Sequence, residues 1–314
     1  MINKRKSGSG ILSSAVREIR INWEMYLFVL PAVAYLLLFN YGPMYGVQIA
    51  FKDFKSYSGI VGSEYVGLKH IIRMFEMKAF GSMVRNTLTL SIYSLLAGFP
   101  LPIILALGLN SCKYNRYKKV VQTVTYAPHF ISVVVIVGML NIFFSPSTGI
   151  VKNVLQQLGL IENTLYVLMD ADAFPHLYVW SGVWTQIGWN SIIYLGALSG
   201  VDPSLHEAAI VEGASKRQRI WYVDVPSILP TIIVLLILNC GSIMSVGFEK
   251  AFLMQNSMNS EKSEIISTYV YKIGIQDGQW SFSTAIGLFN SVINFVILTS
   301  VNWISRRVGE TSLW

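Results

Sequence analysis

The chain has 314 residues, of which 53% are hydrophobic and only 13% charged, against about 25% charged in a typical soluble domain. A water-soluble domain of this size would lack the charge to cover its surface, so the composition points to a bilayer as solvent. The net charge of +7 is scattered over several loops, which argues against a nucleic-acid stripe and marks topology instead.

In chain order, Lys4, Arg5, Lys6, Arg17 and Arg20 fill a basic N-terminal arm, residues 1–23. The first apolar run is Glu24–Tyr45. Ala32-Val33-Ala34 looks like a signal cleavage site, but Tyr35–Phe39 continue the apolar stretch, so the helix is expected to be retained. In the loop that follows, Leu68, Ile71, Ile72 and Phe75 fall at helical spacing and predict a short amphipathic helix lying on the membrane or the bundle.

Five further runs follow: Thr87–Leu109, Val121–Phe144, His176–Gly200, Ser227–Gly247 and Phe282–Ile304. Each is long enough to cross about 30 Å of hydrocarbon as a helix. The connectors alternate in charge. Lys113, Arg116, Lys118 and Lys119 crowd one short loop, Lys216, Arg217 and Arg219 another, and Arg306 and Arg307 follow the last run. Counting positive residues as inside places both termini in the cytoplasm. The expected fold is an all-α membrane bundle of six transmembrane helices, one domain over residues 24–314. Cys112 and Cys240 fall in different compartments of that scheme, which argues against a disulfide.

No GxxxxGK[ST] phosphate loop, HExxH, CxxC or GxSxG occurs, so the sequence shows no ATP site of that kind, no catalytic residues and no metal-ligand set. It is read as a non-enzyme. Mid-membrane Asp, Glu and His are missing as well, which argues against a self-contained channel or an ion-coupled carrier. His129, after Pro128, is read as a histidine satisfied at a kinked helix start rather than a proton relay. Asp170 and Asp172 are read as solvated charges.

The most informative segment is Val201–Pro230, reading VDPSLHEAAIVEGASKRQRIWYVDVPSILP. Asp202 before Pro203 is an N-cap with proline at the first helical position. A helix then carries Leu205, Ala208, Ala209 and Glu212 on one face, and Gly213 can end it in a left-handed turn. Ser215 caps a second short helix, Lys216–Val223, expected to stop before Pro226. The small alanines suit close approach to another protein; the same loop also reads as an ordinary connector.

This loop resembles the EAA motif of binding-protein-dependent ABC importer permeases. Glu207-Ala208-Ala209, Gly213-Ala214, Pro226 and Pro230 match at the family spacing, with Glu212 where Asp is usual, Ile220 where an aromatic is usual and Val225 where Leu is usual. Tyr41–Gly46 before Ala50–Phe54, Gln122–Ser132, Gly287–Asn294 and Gly309–Trp314 are similar to the subfamily that imports complex oligosaccharides (LplB-like). The resemblance implies a type I importer (MetI-like) permease bundle that pairs with a second, homologous permease and sits on two ATPase subunits. It would receive a carbohydrate from an extracellular binding protein. No cofactor is implied for this chain, since ATP and Mg would be bound by the partner ATPases. Glu207, Ala208, Ala209, Glu212, Gly213, Ala214, Pro226 and Pro230 would form the coupling element seated in the ATPase. A non-transporting receptor or scaffold would have no use for such a motif.

A carbohydrate path needs flat apolar faces for stacking and neutral polar groups for hydroxyls. Trp184, Gln186, Trp189, Asn190 and Tyr194 in the fourth run, Asn239 and Ser242 in the fifth, and Asn290 and Asn294 in the sixth offer these. Interfacial anchoring and helix-to-helix hydrogen bonds are the competing roles for the same residues.

Overall fold

The structure is a computed structural model that describes residue 18, residues 20–158 and residues 166–309. Lys4, Arg5, Lys6 and Arg17 of the basic arm, and the segment after Gly309, lie outside the described residues.

Helix α1 (Trp23–Leu36) runs on through a wide π turn, Leu37–Tyr41, and a tight 3-10 stretch that ends at Phe51. None of the residues in α1 is buried, and Phe28 is 86% exposed. A helix that is apolar on every side and packed against nothing is suited to lipid. Beyond it, β1 (Lys52–Asp53) pairs antiparallel with β2 (Glu64–Tyr65), a small exception to an otherwise helical chain. Asp53 then accepts from Lys69 at 2.6 Å and faces His70 at 2.9 Å. That lysine hydrogen bond holds the Asp53 carboxyl below its ordinary range.

The amphipathic helix expected here exists as α2 (Lys69–Glu76). His70 and Met74 are its buried residues, while Leu68, Ile72 and Phe75 remain exposed. Ile71 packs into the core, and the Phe75 ring meets Phe80 and Phe289 edge-on, with centroids 5.6 and 5.7 Å away. The contacts of Lys69 and His70 with Asp53 hold the start of α2 beside the β1–β2 pair, and periodicity cannot see them.

Next come α3 (Lys78–Gly98) and α4 (Pro100–Asn110), which form one apolar run. The third predicted run is not a single straight helix. It divides into α5 (Asn115–Tyr126) with a 3-10 turn, Ala127–Phe130, and α6 (Val133–Phe143), bent by 99°. Pro128 lies in the turn and the Ser132 side chain caps α6 by accepting from the Val135 amide at 3.4 Å, so the chain stops one helix and starts another. A short α7 (Ile150–Gln157) precedes the long α8 (Ala173–Ser199).

After α9 (Pro203–Val211), the second loop helix α10 (Lys216–Arg219) does not stop before Pro226 as expected. It continues through a π turn, Ile220–Asp224, directly into α11 (Val225–Gly241). Proline lacks an amide donor and crowds the carbonyl four residues back; the extra residue in the π turn relieves that conflict. The connector after α11 contains α12 (Phe248–Met254), α13 (Ser260–Ser263) and α14 (Ile266–Tyr271) before the last helix, α15 (Trp280–Gly309). Asp172 is exposed, as expected of a solvated charge, and it pairs with Lys262, which holds its carboxyl below the ordinary range.

Among the described residues, four helical runs are long and apolar enough to cross a bilayer: Trp23–Phe51, Lys78–Asn110, Lys216–Gly241 and Trp280–Arg307. A fifth is available if the bent α5–α6 pair counts as one. Helix α8 is long enough at 27 residues but carries Trp, Gln and Asn where the others carry Leu and Ile. It packs against α3, α4, α5 and α11, while Trp184, Gln186, Trp189 and Asn190 stay exposed. Phe174, Tyr178, Val179 and Val183 join Leu90, Val137, Ala251 and Met254 in one core cluster, and Tyr194 and Leu198 join Ala106 and Ile228 in another. Gly188 makes the α5 contact possible, since a Cβ there would lie 2.2 Å from the Thr125 carbonyl oxygen.

Candidate functional site

Two places carry the residues singled out from the sequence. The first is the loop between α8 and α11. Asp202 accepts a hydrogen bond from the Ser204 amide at 2.9 Å, which also holds its carboxyl below the ordinary range. At the other end Gly213 adopts φ +78°, and the Ala214 amide reaches the Ala209 carbonyl at 2.8 Å. This is a left-handed helix stop that a residue with a Cβ adopts only under strain. Ser215 and Gln218 then close a reciprocal capping box, with the Ser215 amide donating to Gln218 Oε1 at 2.8 Å.

Within this frame α9 buries nothing. Glu207, Ala208, Glu212, Pro226 and Pro230 are exposed, and Ala209 and Ala214 are half-buried. Leu205, Ile210 and Val211 are also exposed, together with Trp221 and Tyr222 on the following turn. A capped helix with apolar and small side chains open on its surface has the form of a docking element.

Among the described residues a polar contact ties α9 to the bundle, and sequence reasoning missed it. Asp224 is only 3% exposed. Its Oδ1 accepts from Asn110 Nδ2, at the end of α4, at 3.4 Å and lies 3.3 Å from His206 Nε2 on α9. A carboxylate kept away from water needs such partners. The loop helix, α4 and the start of α11 therefore meet at one buried group.

The second place is a cavity of about 660 Å³ beside α8, within the roughly 300–1,000 Å³ of small-ligand sites. Gln186, Asn190, Tyr194, Asn239 and Ser242 of the predicted path line it. The other four predicted residues do not. Trp189 stacks on His129, with ring centroids 4.2 Å apart and planes 4° from parallel, where it braces the bend between α5 and α6. Trp184 is exposed outside the lining. Asn294 accepts from the Met244 amide and donates to Ser245 Oγ, each at 2.9 Å, so it fastens the connector after α11. Asn290 likewise contributes nothing to the lining. His129 hydrogen-bonds Gln186 at 3.1 Å, matching a satisfied histidine at a kink.

The cavity also holds a charge that the sequence did not flag. Lys250 of α12 extends over Gly182 and donates to the Tyr178 carbonyl at 2.6 Å, with its nitrogen 4.7 Å from the Tyr178 ring centroid. It lies in the connector outside the membrane-spanning helices, and burial pushes its ammonium down to about 8. Its only sequence signal is a charged pair, Glu249-Lys250, interrupting an otherwise apolar stretch.

A family model described as a binding-protein-dependent transport system inner membrane component matches residues 98–310. The chain is 40% identical over 308 residues to Protein LplB of Bacillus subtilis (strain 168), covering 98% of this chain and 96% of that protein. It is 39% identical over 290 residues to the polygalacturonan/rhamnogalacturonan transport system permease protein YteP of the same organism, covering 92% and 90%. The crystal structure of a bacterial ABC transporter involved in the import of the acidic polysaccharide alginate superposes with a TM-score of 0.86 at 40% identity, over 94% of this chain and 99% of that one. The alginate transporter in complex with an alginate pentasaccharide-bound periplasmic protein gives the same TM-score and identity, over 95% and 99%.

Proposed function

The chain belongs to the family of binding-protein-dependent transport system inner membrane components, and from that premise we propose that it carries a carbohydrate, an oligosaccharide, across the cytoplasmic membrane as one permease subunit of an ATP-driven importer. Six helices cross the bilayer in this reading: the four apolar runs, the bent α5–α6 pair and α8. Both termini are cytoplasmic. The basic arm, residues 1–23, precedes a single permease domain, residues 24–314, whose coupling loop is 201–230.

The observation that carries the reading is α9 itself, a helix capped at both ends that buries no residue of its own and is joined to α4 and α11 through Asp224. Such an element is made to be held by another protein and to pass a displacement into the spans. An ATPase subunit is the partner that fits, with Glu207, Ala208 and Ala209 at the contact. Two ATPases would bind ATP and Mg, a second, homologous permease would complete the pathway, and an extracellular binding protein would deliver the solute. The chain itself would have no nucleotide site. A cavity in which amides and hydroxyls such as Gln186, Asn190, Asn239 and Ser242 are interleaved with aliphatic and aromatic side chains suits a polyhydroxylated solute, and relatives named for polygalacturonan and alginate transport agree with that chemistry.

Purified alone, the chain is expected neither to bind nor to hydrolyse ATP. Assembled with its partners in vesicles, it should accumulate an oligosaccharide presented by the binding protein. Saturable ATP binding by the isolated chain would contradict this division of labour. The topology has its own check. Cysteines introduced at Asn115 and Ser215 should be shielded from an impermeant thiol reagent in intact cells, and one at Ser147 should react; labelling at Asn115 from outside would refute six spans with cytoplasmic ends.

A further inference from the structure

The cavity beside α8 has two charged residues in its lining, Glu249 and Lys250, among neutral polar and apolar groups. They are neighbours on α12, and successive helical positions project about 100° apart. No ion pair joins them among the described residues, and Glu249 stays exposed while Lys250 is half-buried. An ammonium has three N–H donors. The protein engages one of them, through the Tyr178 carbonyl. Gly182 leaves the room above which the ammonium sits, since a Cβ there would come within 3.3 Å of Nζ.

Taking an ammonium partly out of water without a carboxylate is costly. The Tyr178 carbonyl and ring offset part of that cost, and amides and hydroxyls such as Asn190, Asn239 and Ser242 already supply what neutral sugars need. A solute carboxylate offsets the remainder, through charge-assisted hydrogen bonds to the remaining donors. A single cation partly neutralised by the Tyr178 carbonyl and ring also keeps the hold weak enough for the solute to leave, as a translocation path requires.

We propose that Lys250 is a carboxylate-binding residue of the cavity and that the solute is an anionic oligosaccharide containing uronate units. The inference rests on the carbohydrate reading above and narrows it.

The test uses the whole importer in vesicles: this chain with its second permease, ATPases and binding protein. The probes are short oligogalacturonates and alginate oligosaccharides, with neutral galacto-oligosaccharides of the same length beside them. Wild type is expected to accumulate at least one uronate probe. Lys250→Gln should lower that uptake at least about tenfold, the scale of losing a hydrogen bond to a charged group. Lys250→Arg should restore most of it. Complex assembly and basal ATP hydrolysis should remain at wild-type levels in every variant. A lysine that merely fastens α12 to α8 predicts that Lys250→Gln loses assembly and basal hydrolysis together with uptake, and that result would overturn the proposal. So would uronate uptake by Lys250→Gln at the wild-type rate, or a wild type that accumulates the neutral probes and rejects the uronates. A wild type that hydrolyses ATP yet accumulates neither class would sink the carbohydrate reading itself, and this proposal with it.

Discussion

The loop at 201–230 and the cavity beside α8 lie on the same polypeptide but are built on opposite plans. The loop is held by neighbours in sequence: Asp202 caps through Ser204, Gly213 and Ala214 close on Ile210 and Ala209, and Ser215 closes on Gln218. Its surface is open, and α9 spends no side chain on the core. The cavity is assembled from α3, α8, α11 and the α12 connector, and its polar groups stand among buried residues of those same helices. A change in the loop should therefore act through whatever protein holds it. A change in the cavity should act on what passes, leaving partners in place.

The junction at Asp224 is where that separation is most exposed to failure. Replacing Asp224 with Leu removes the acceptor shared by Asn110 and His206 and leaves both without it. Uptake should fall at least about tenfold, the consequence of leaving two half-buried polar partners without their shared acceptor. ATP hydrolysis by the assembled importer should lose its response to loaded binding protein. Normal stimulated uptake would mean that α9 and the spans do not communicate through this group.

Within the cavity, Asn190→Leu sharpens the comparison from the other side. It deletes a neutral polar group exposed in the lining, so a smaller loss of about two- to tenfold in uptake is expected, with the amount of co-purified ATPase unchanged. Loss of ATPase from that variant would show the two regions to be one.

The same contrast explains what the sequence discloses. The caps at Asp202 and Ser215 and the turn at Gly213 are legible because each partner lies within five residues and each residue type has few other reasons to be there. The apolar runs are legible because hydrocarbon imposes its length directly. Lys250 reaches a carbonyl 72 residues away, and Asn110 reaches Asp224 across 114; no local pattern predicts either. Trp189 shows the opposite error. An aromatic in a polar helix suits a sugar path equally well on paper, yet here it stacks on His129 to brace a bend that the apolar run Val121–Phe144 conceals. The π turn before Pro226 belongs to the same class, since proline signals a stop unless the preceding turn widens.

The central claim is that α9 is the part of this chain gripped by an ATPase. Ala209, half-buried on α9, is small enough for two backbones to approach. Ala209→Trp should hold them apart. With the variant expressed beside its partners and membrane insertion confirmed, the measurement is the ATPase that co-purifies with the permease. It should fall at least about tenfold, equivalent to about 1.4 kcal/mol or more, and uptake should fall with it while the binding protein still captures sugar normally. A variant that inserts and brings down wild-type amounts of ATPase would contradict the account and reduce this loop to a connector.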